Sequence, residues 1–323
     1  MPANSNLHTP LRGIIPPMVT PLLDCVTIDQ PGLERLVEHL IAGGVHGIFI
    51  LGTTGEGPSL SQTLRHRTIE AAVRQVAGRV PVLVGITDTS VAASVDLAQF
   101  AADAGADAVV SSAPHYYRIA QPELLDYFQQ LVKDLPLPLV LYNMPALTKV
   151  HFEPETIAQI LSWEKVIGIK DSSGDLEYAA ALTRLIPKRP DWTLMTGPEE
   201  LLADALRAGV MGGVCGGANI FPQLYVDLYE ADRLGDLQQV RKLHEDVLQI
   251  SQLLYSIGRH DSAVIKGIKC ALSCMEICND CMAPPLHSFQ RAERRIVQQR
   301  LEQIGRLRAT GIQTVMAGYT NRR

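Results

Sequence analysis

The feature that most restricts how this chain folds is a repeated alternation. Short apolar runs rich in Val, Ile and Leu are each followed by a longer amphipathic segment. Eight runs read as strands: Gly13 to Val19, Gly47 to Leu51, Val80 to Ile86, Ala108 to Ser112, Leu137 to Tyr142, Val166 to Lys170, Thr193 to Thr196 and Gly213 to Ala218. Strands that stay apolar along their length need cover on both faces, as in a parallel sheet flanked by helices. The segments between them, such as Leu64–Val76 and Val91–Ala104, carry the helical period, and several stop at glycine, as at Gly78, Gly105 and Gly209. Eight alternations joined by short connections predict the α/β class and a closed (β/α)8 TIM barrel, with an open doubly wound sheet as the alternative. The 323 residues, 46% of them hydrophobic, are ample for a barrel core.

The strand pattern stops after Phe221. Four segments near Gln223–Arg233, Leu237–Ser256, Ser262–Met275 and Leu286–Ile304 read as helix. The expected organisation is a catalytic barrel over residues 11–222, a C-terminal helical appendage packed on it over 223–310, and a flexible polar tail over 311–323.

The formal charge of -5 is mild and the basic residues are scattered, which argues against nucleic-acid and anionic-membrane partners. No apolar run approaches the ~18 residues of a spanning helix. The polar start lacks the character of a secretion signal, and six unevenly placed cysteines do not form an extracellular disulfide framework. A cytoplasmic enzyme is the expectation.

In such a barrel, chemistry gathers where strands end and loops begin. The second run ends in Gly52-Thr53-Thr54-Gly55-Glu56-Gly57, the fourth in His115-Tyr116-Tyr117 and the fifth in Tyr142-Asn143-Met144-Pro145. The sixth ends in Lys170-Asp171-Ser172-Ser173. Singly, each has a plain structural reading: a snorkelling lysine, a wedge tyrosine, a tight turn. Together they bring an amine, a phenol, two hydroxyls and free backbone amides to one mouth. That set suits Schiff-base chemistry. An apolar wall, to which Ile167 and Ile169 contribute, favours a neutral, nucleophilic amine, and the resulting iminium is an electron sink for carbon–carbon bond making or breaking. Hydroxyls and turn amides at Thr53 and Thr54 suit the carboxylate of a 2-oxo acid, and Tyr142 suits proton transfer.

With these motifs the chain resembles the dihydrodipicolinate synthase / N-acetylneuraminate lyase family of class I aldolases, from about Gly13 to Leu286. The resemblance rests on Gly-Thr-Thr-Gly-Glu at 52 to 56, Tyr-Asn-Met-Pro at 142 to 145, and Gly-Ile-Lys-Asp-Ser-Ser-Gly-Asp at 168 to 175. It implies a lyase that holds pyruvate on Lys170, with Tyr142 moving protons and no cofactor beyond the covalent Schiff base. It also implies that Thr53 relays protons, that Thr53 and Thr54 bind the carboxylate, and that the Val214 carbonyl lines the pocket. Tyr116 would match a tyrosine lent across a dimer contact, in a homo-oligomer built as a dimer of dimers.

Departures bear on the substrate. The synthases carry an arginine two residues after the proline of the tyrosine motif, where aspartate semialdehyde's carboxylate binds; here that residue is Leu147. The Pro-Ala-Leu-Thr run is closer to neuraminate lyases, which place acidic residues near Glu199 and Glu200 toward sugar hydroxyls. Ser172 is a further candidate contact. The preferred substrate is a 2-keto-3-deoxy sugar acid or an N-acetylneuraminate-like 2-oxo acid. Alternatives are 4-hydroxy-tetrahydrodipicolinate synthesis, a sugar-acid dehydratase and a non-enzymatic 2-oxo-acid sensor. First-turn acids of a helix are the structural reading of Glu199 and Glu200. Cys270, Cys274, Cys278 and Cys281 fall on one helical stripe, which cannot wrap a tetrahedral ion, so no metal is expected. His46, His115 and Lys149 receive no role.

Overall fold

The computed structural model describes residues 7–311. Its eight parallel strands are β1 (Gly13–Ile14), β2 (Ile48–Ile50), β3 (Val82–Gly85), β4 (Ala108–Ser112), β5 (Leu139–Asn143), β6 (Val166–Asp171), β7 (Thr193–Thr196) and β8 (Gly212–Gly213). They pair in the order β1-β8-β7-β6-β5-β4-β3-β2. The remaining seam, between β1 and β2, is joined by His46 N–H to the Ile14 carbonyl (2.8 Å), Phe49 N–H to Pro16 (3.0 Å) and Met18 N–H to Phe49 (2.8 Å). The sheet therefore closes on itself, and the open-sheet alternative falls away.

The first and last strands, of two residues each, fall furthest short of their apolar runs. Pro16 and Pro17 lack the N–H that a longer β1 ladder requires. After β8 the chain turns into a short helix, Gly216–Asn219, pinned by Asn219. Its side-chain oxygen accepts from Val19 N (3.1 Å) and its amide donates to the Pro17 carbonyl (3.0 Å).

Alternation sorts the side chains into two cores. Leu139, Leu141, Val166 and Ile169 face the surrounding helices, whereas Val140, Tyr142, Ile167 and Met195 fill the barrel interior. In β6 the alternation breaks: Leu139 pairs with Val166 but Val140 pairs with Gly168, leaving Ile167 as an extra residue. Such a bulge re-aims the residues after it. It sets Lys170 opposite the inward Tyr142 rather than outward. Glycine is required at 168, because a Cβ would stand 2.5 Å from the Thr193 carbonyl oxygen. Ile169 consequently packs outward, and only Ile167 belongs to the apolar interior near the lysine.

The helix Pro222–Arg233 follows β8 and packs on β1. Helices Leu237–Tyr255, Ala263–Cys274 and Arg291–Gly311 complete the described chain. The last begins later than the apolar pattern suggests, after the Pro284–Pro285 stretch. Gly311 still belongs to it, and the rest of the expected tail lies outside the described residues. Helix Ala263–Cys274 ends before Cys278 and Cys281, so the four thiols do not share one stripe as expected; Met275 and Glu276 turn the chain, Glu276 in left-handed backbone. No helix among the described residues is long and apolar enough to cross a membrane.

Candidate active site

Lys170 is the penultimate residue of β6, inside the barrel, and is 6% exposed. Its Nζ stands 4.2 Å from the Tyr142 ring centroid and 5.4 Å from that of Phe49. Tyr142 is its neighbour across the ladder, so strand register rather than loop geometry sets this pair. The Tyr142 hydroxyl lies 3.3 Å from Thr53 Oγ1. Burial pushes the phenol up, but the Lys170 charge and hydrogen bonds with Thr53, Ser172 and Lys170 outweigh it and hold the group below its ordinary value.

One residue beyond the pair, a buried polar lock holds the strand ends. Asn143 donates to Asp171 Oδ1 (2.7 Å) and accepts from Phe152 N (3.2 Å), while Ser173 donates its N–H and hydroxyl to the same carboxylate. Burial raises the Asp171 carboxyl above the usual range, against the pull of these bonds. The turn carrying Thr53 is equally constrained. Leu51 and Glu56 both adopt positive φ, and Gly57 is needed because a Cβ there would meet the Leu51 carbonyl oxygen at 2.1 Å.

A cavity of about 230 Å³ opens over this set, lined among others by Thr53, Tyr142, Leu147, Ser112, His115 and Arg65. Lys170 and Val214 line a smaller space of about 10 Å³ within the barrel, and Phe49 borders both. Ser172 reaches the Tyr142 hydroxyl, and a Cβ at Gly197 would collide with its oxygen. Thr54 is half-buried and does not line the cavity. Tyr116 is 79% exposed, edge-on to Tyr117, and also stands outside the lining.

The acidic pair requires a correction. Neither carboxylate lines the cavity. Glu199 is buried and accepts from Tyr225 (2.6 Å), Tyr255 (2.9 Å) and the Gly217 amide (2.7 Å), so its oxygens are committed to a protein network. Burial lifts its carboxyl above the usual value despite those bonds. Glu200 accepts from the Ser251 hydroxyl. Glu199 thus has a structural role, and neither carboxylate faces this cavity to meet a sugar hydroxyl there.

The cavity also shows polar residues to which no role was given. Ser112 and Thr87 close the β4 and β3 runs, and the Thr87 hydroxyl accepts from Ser112 N (3.0 Å); the strand-end rule finds both. Arg65 sits in a helix with no sequence signal, and its Nε donates to the Gly57 and Leu60 carbonyls. Lys149 bonds the Ala146 carbonyl at the end of the short helix Pro145–Thr148. His46 accepts from Ile14 N and serves the barrel wall.

A match to the dihydrodipicolinate synthetase family model runs over residues 10–304. The chain belongs to that family. It is accordingly a lyase of the pyruvate-aldolase kind. It is 33% identical to a 4-hydroxy-tetrahydrodipicolinate synthase of Methanopyrus kandleri, covering 92% of this chain and 97% of the relative. It is 32% identical to a probable 2-dehydro-3-deoxy-D-pentonate aldolase of Escherichia coli, covering 88% and 94%. Among solved structures, dihydrodipicolinate synthase from Bacteroides thetaiotaomicron is 51% identical, with a TM-score of 0.90 over 92% of this chain and all of the other.

Proposed function

We propose that this family member makes or cleaves a carbon–carbon bond between pyruvate and an aldehyde through a Schiff base on Lys170, acting by preference on a 2-keto-3-deoxy sugar acid. The observation that carries the reading is the register-paired Lys170 and Tyr142, with Thr53 3.3 Å from the phenol, below a cavity whose wall presents Leu147. Lys170 Nζ attacks the C2 carbonyl, and Tyr142 supplies the proton that the developing alkoxide takes up. Loss of water gives the iminium; the Tyr142 phenolate takes the proton of the C4 hydroxyl as the C3–C4 bond breaks, the aldehyde leaves, and the iminium accepts the electron pair. The enamine left behind picks up a proton at C3, and water returns to release pyruvate. Thr53 passes protons to and from Tyr142; Thr53 and Thr54, with turn amides, hold the carboxylate. Val214 and Ser172 border the bound 2-oxo acid. No cofactor is required, since the protonated imine is the electron sink.

Leu147 supports a hydroxylated rather than a second anionic group at the far end, because an aliphatic side chain cannot replace an arginine–carboxylate contact. The 51% identity to a dihydrodipicolinate synthase favours a second reading, condensation with aspartate semialdehyde. We further propose a homo-oligomer in which Tyr116, exposed and outside its own cavity lining, completes the site of a second copy.

Borohydride trapping with pyruvate, read by intact mass and peptide mapping, tests the mechanism. A reduced adduct on Lys170, absent from Lys170→Ala, is expected; no adduct at saturating pyruvate sinks the proposal. Pyruvate release from 2-keto-3-deoxy sugar acids, compared with pyruvate consumption alongside aspartate semialdehyde, then separates the two readings.

A further inference from the structure

Glu56 closes the Gly-Thr-Thr-Gly-Glu turn in left-handed backbone, and its side chain reaches away from the cavity. Its Oε1 lies 2.7 Å from Lys269 Nζ, and both side chains are wholly buried. Its Oε2 accepts from the Ala283 amide at 2.7 Å, and Lys269 also donates to the Cys281 carbonyl. Lys269 belongs to helix Ala263–Cys274, so the C-terminal helices hold the end of a turn that starts in the second barrel strand's loop. The same turn is closed internally by Glu56 N to Thr53 O (3.0 Å) and Gly57 N to Gly52 O (3.1 Å), and tied to the first loop by Thr20 Oγ1 to Gly55 O (2.6 Å).

Two physical consequences meet at Thr53 and Thr54. A desolvated ion pair is seldom more stabilising than apolar packing of the same volume, but it permits one arrangement of its partners. Here that arrangement fixes the Glu56 backbone, whose amide holds the Thr53 carbonyl. A buried carboxylate two residues from Thr54 would also repel an arriving anion, and in a low-dielectric interior that repulsion is strong. Lys269 cancels it.

We infer that Lys269 is a positioning residue for pyruvate: through Glu56 it holds the Thr53–Thr54 hydroxyls in place and neutralises the charge behind the carboxylate site. The inference rests on the Schiff-base reading above. It makes the C-terminal helical region part of the substrate-binding machinery.

Lys269→Met alone strands a buried carboxylate and invites unfolding, so the informative variant is Glu56→Gln/Lys269→Met, which replaces both charges with neutral groups of similar size. Borohydride trapping on Lys170 is titrated with pyruvate and, separately, with acetone, a ketone that lacks the carboxylate. The double variant is expected to melt cooperatively and to need about tenfold more pyruvate for half-trapping, a loss of about 1.4 kcal/mol. The acetone concentration it needs for half-trapping should match the parent's, whatever the rate at which the adduct forms. Should the double variant not fold, Glu56→Asp, which keeps the charge opposite Lys269 but is one methylene too short to reach both Lys269 and the Ala283 amide, is read in the same way, with a smaller rise. An unchanged pyruvate requirement, or equal losses with pyruvate and acetone, overturns the inference and leaves the Schiff base intact. A parent chain that traps no pyruvate overturns both.

Discussion

Tyr142 carries the sharpest residue-scale expectation. Lys170 and Thr53 surround one phenol, and the balance of burial against their charge and hydrogen bonds leaves it more acidic than a free tyrosine. Chemistry that needs the phenol protonated is present below its folded pKa and lost as pH rises through it. The alkaline limb of kcat/KM should therefore fall at lower pH than an ordinary tyrosine would give. Thr53→Val removes one of the bonds that lower the phenol, so the limb should shift upward in pH. A limb that stays put in Thr53→Val would show that some other group titrates there. Tyr142→Phe should lower kcat by roughly 10²–10⁴-fold, the usual contribution of a positioned acid–base group, while the borohydride adduct still forms on Lys170, more slowly. An equally active Tyr142→Phe enzyme would remove the phenol from the mechanism.

Among the elements, β5 and β6 decide whether the amine and phenol meet, and the sequence conveys this only in part. The apolar runs locate both strands to within a residue or two, because covered parallel strands leave a continuous hydrophobic trace. The bulge at Ile167 leaves no such trace: Val166-Ile167-Gly168-Ile169 reads equally well as regular alternation, and only pairing with Leu139 and Val140 exposes the extra residue. The fate of Glu199 was hidden for a similar reason, since Tyr225 and Tyr255, which claim its carboxylate, lie on later helices. The Asn143–Asp171 lock beyond the bulge offers a test of the element itself. Asn143→Leu leaves a buried carboxylate short of a donor, which costs about 1–3 kcal/mol or more for a charged group. Melting temperature should drop accordingly, and kcat should fall with it, because the lock ties the two strands one residue past Lys170 and Tyr142. A destabilised variant with parental kcat would mean that the ladder alone keeps the pair aligned.

At the scale of the whole molecule, one surface is out of keeping with a chain acting alone. Tyr116 and Tyr117 stand 79% and 75% exposed where β4 ends, at the same end of the barrel as the cavity, and Leu147 at the cavity edge is 53% exposed. Large aromatic groups grouped in this way are favoured at contacts between proteins, where an apolar ring and a polar hydroxyl are both used. Tyr116 does not line its own chain's cavity, and the proposed oligomer would give it a place in the site of a second copy. Mass in solution should then be a multiple of 35.3 kDa. Subunit mixing makes the stronger test. Tyr116→Phe keeps Lys170 but loses the lent hydroxyl; Lys170→Ala keeps the hydroxyl but cannot form the Schiff base. Each homogeneous variant should be severely impaired. When the two are unfolded, mixed equally and refolded, random pairing puts an intact Lys170 opposite an intact Tyr116 in about a quarter of all sites of a two-fold dimer, and activity should recover to that fraction. Recovery requires that one protomer's Tyr116 serve its partner's Lys170. A mixture no more active than its components, from chains that do associate, would confine Tyr116 to a role on its own subunit's surface.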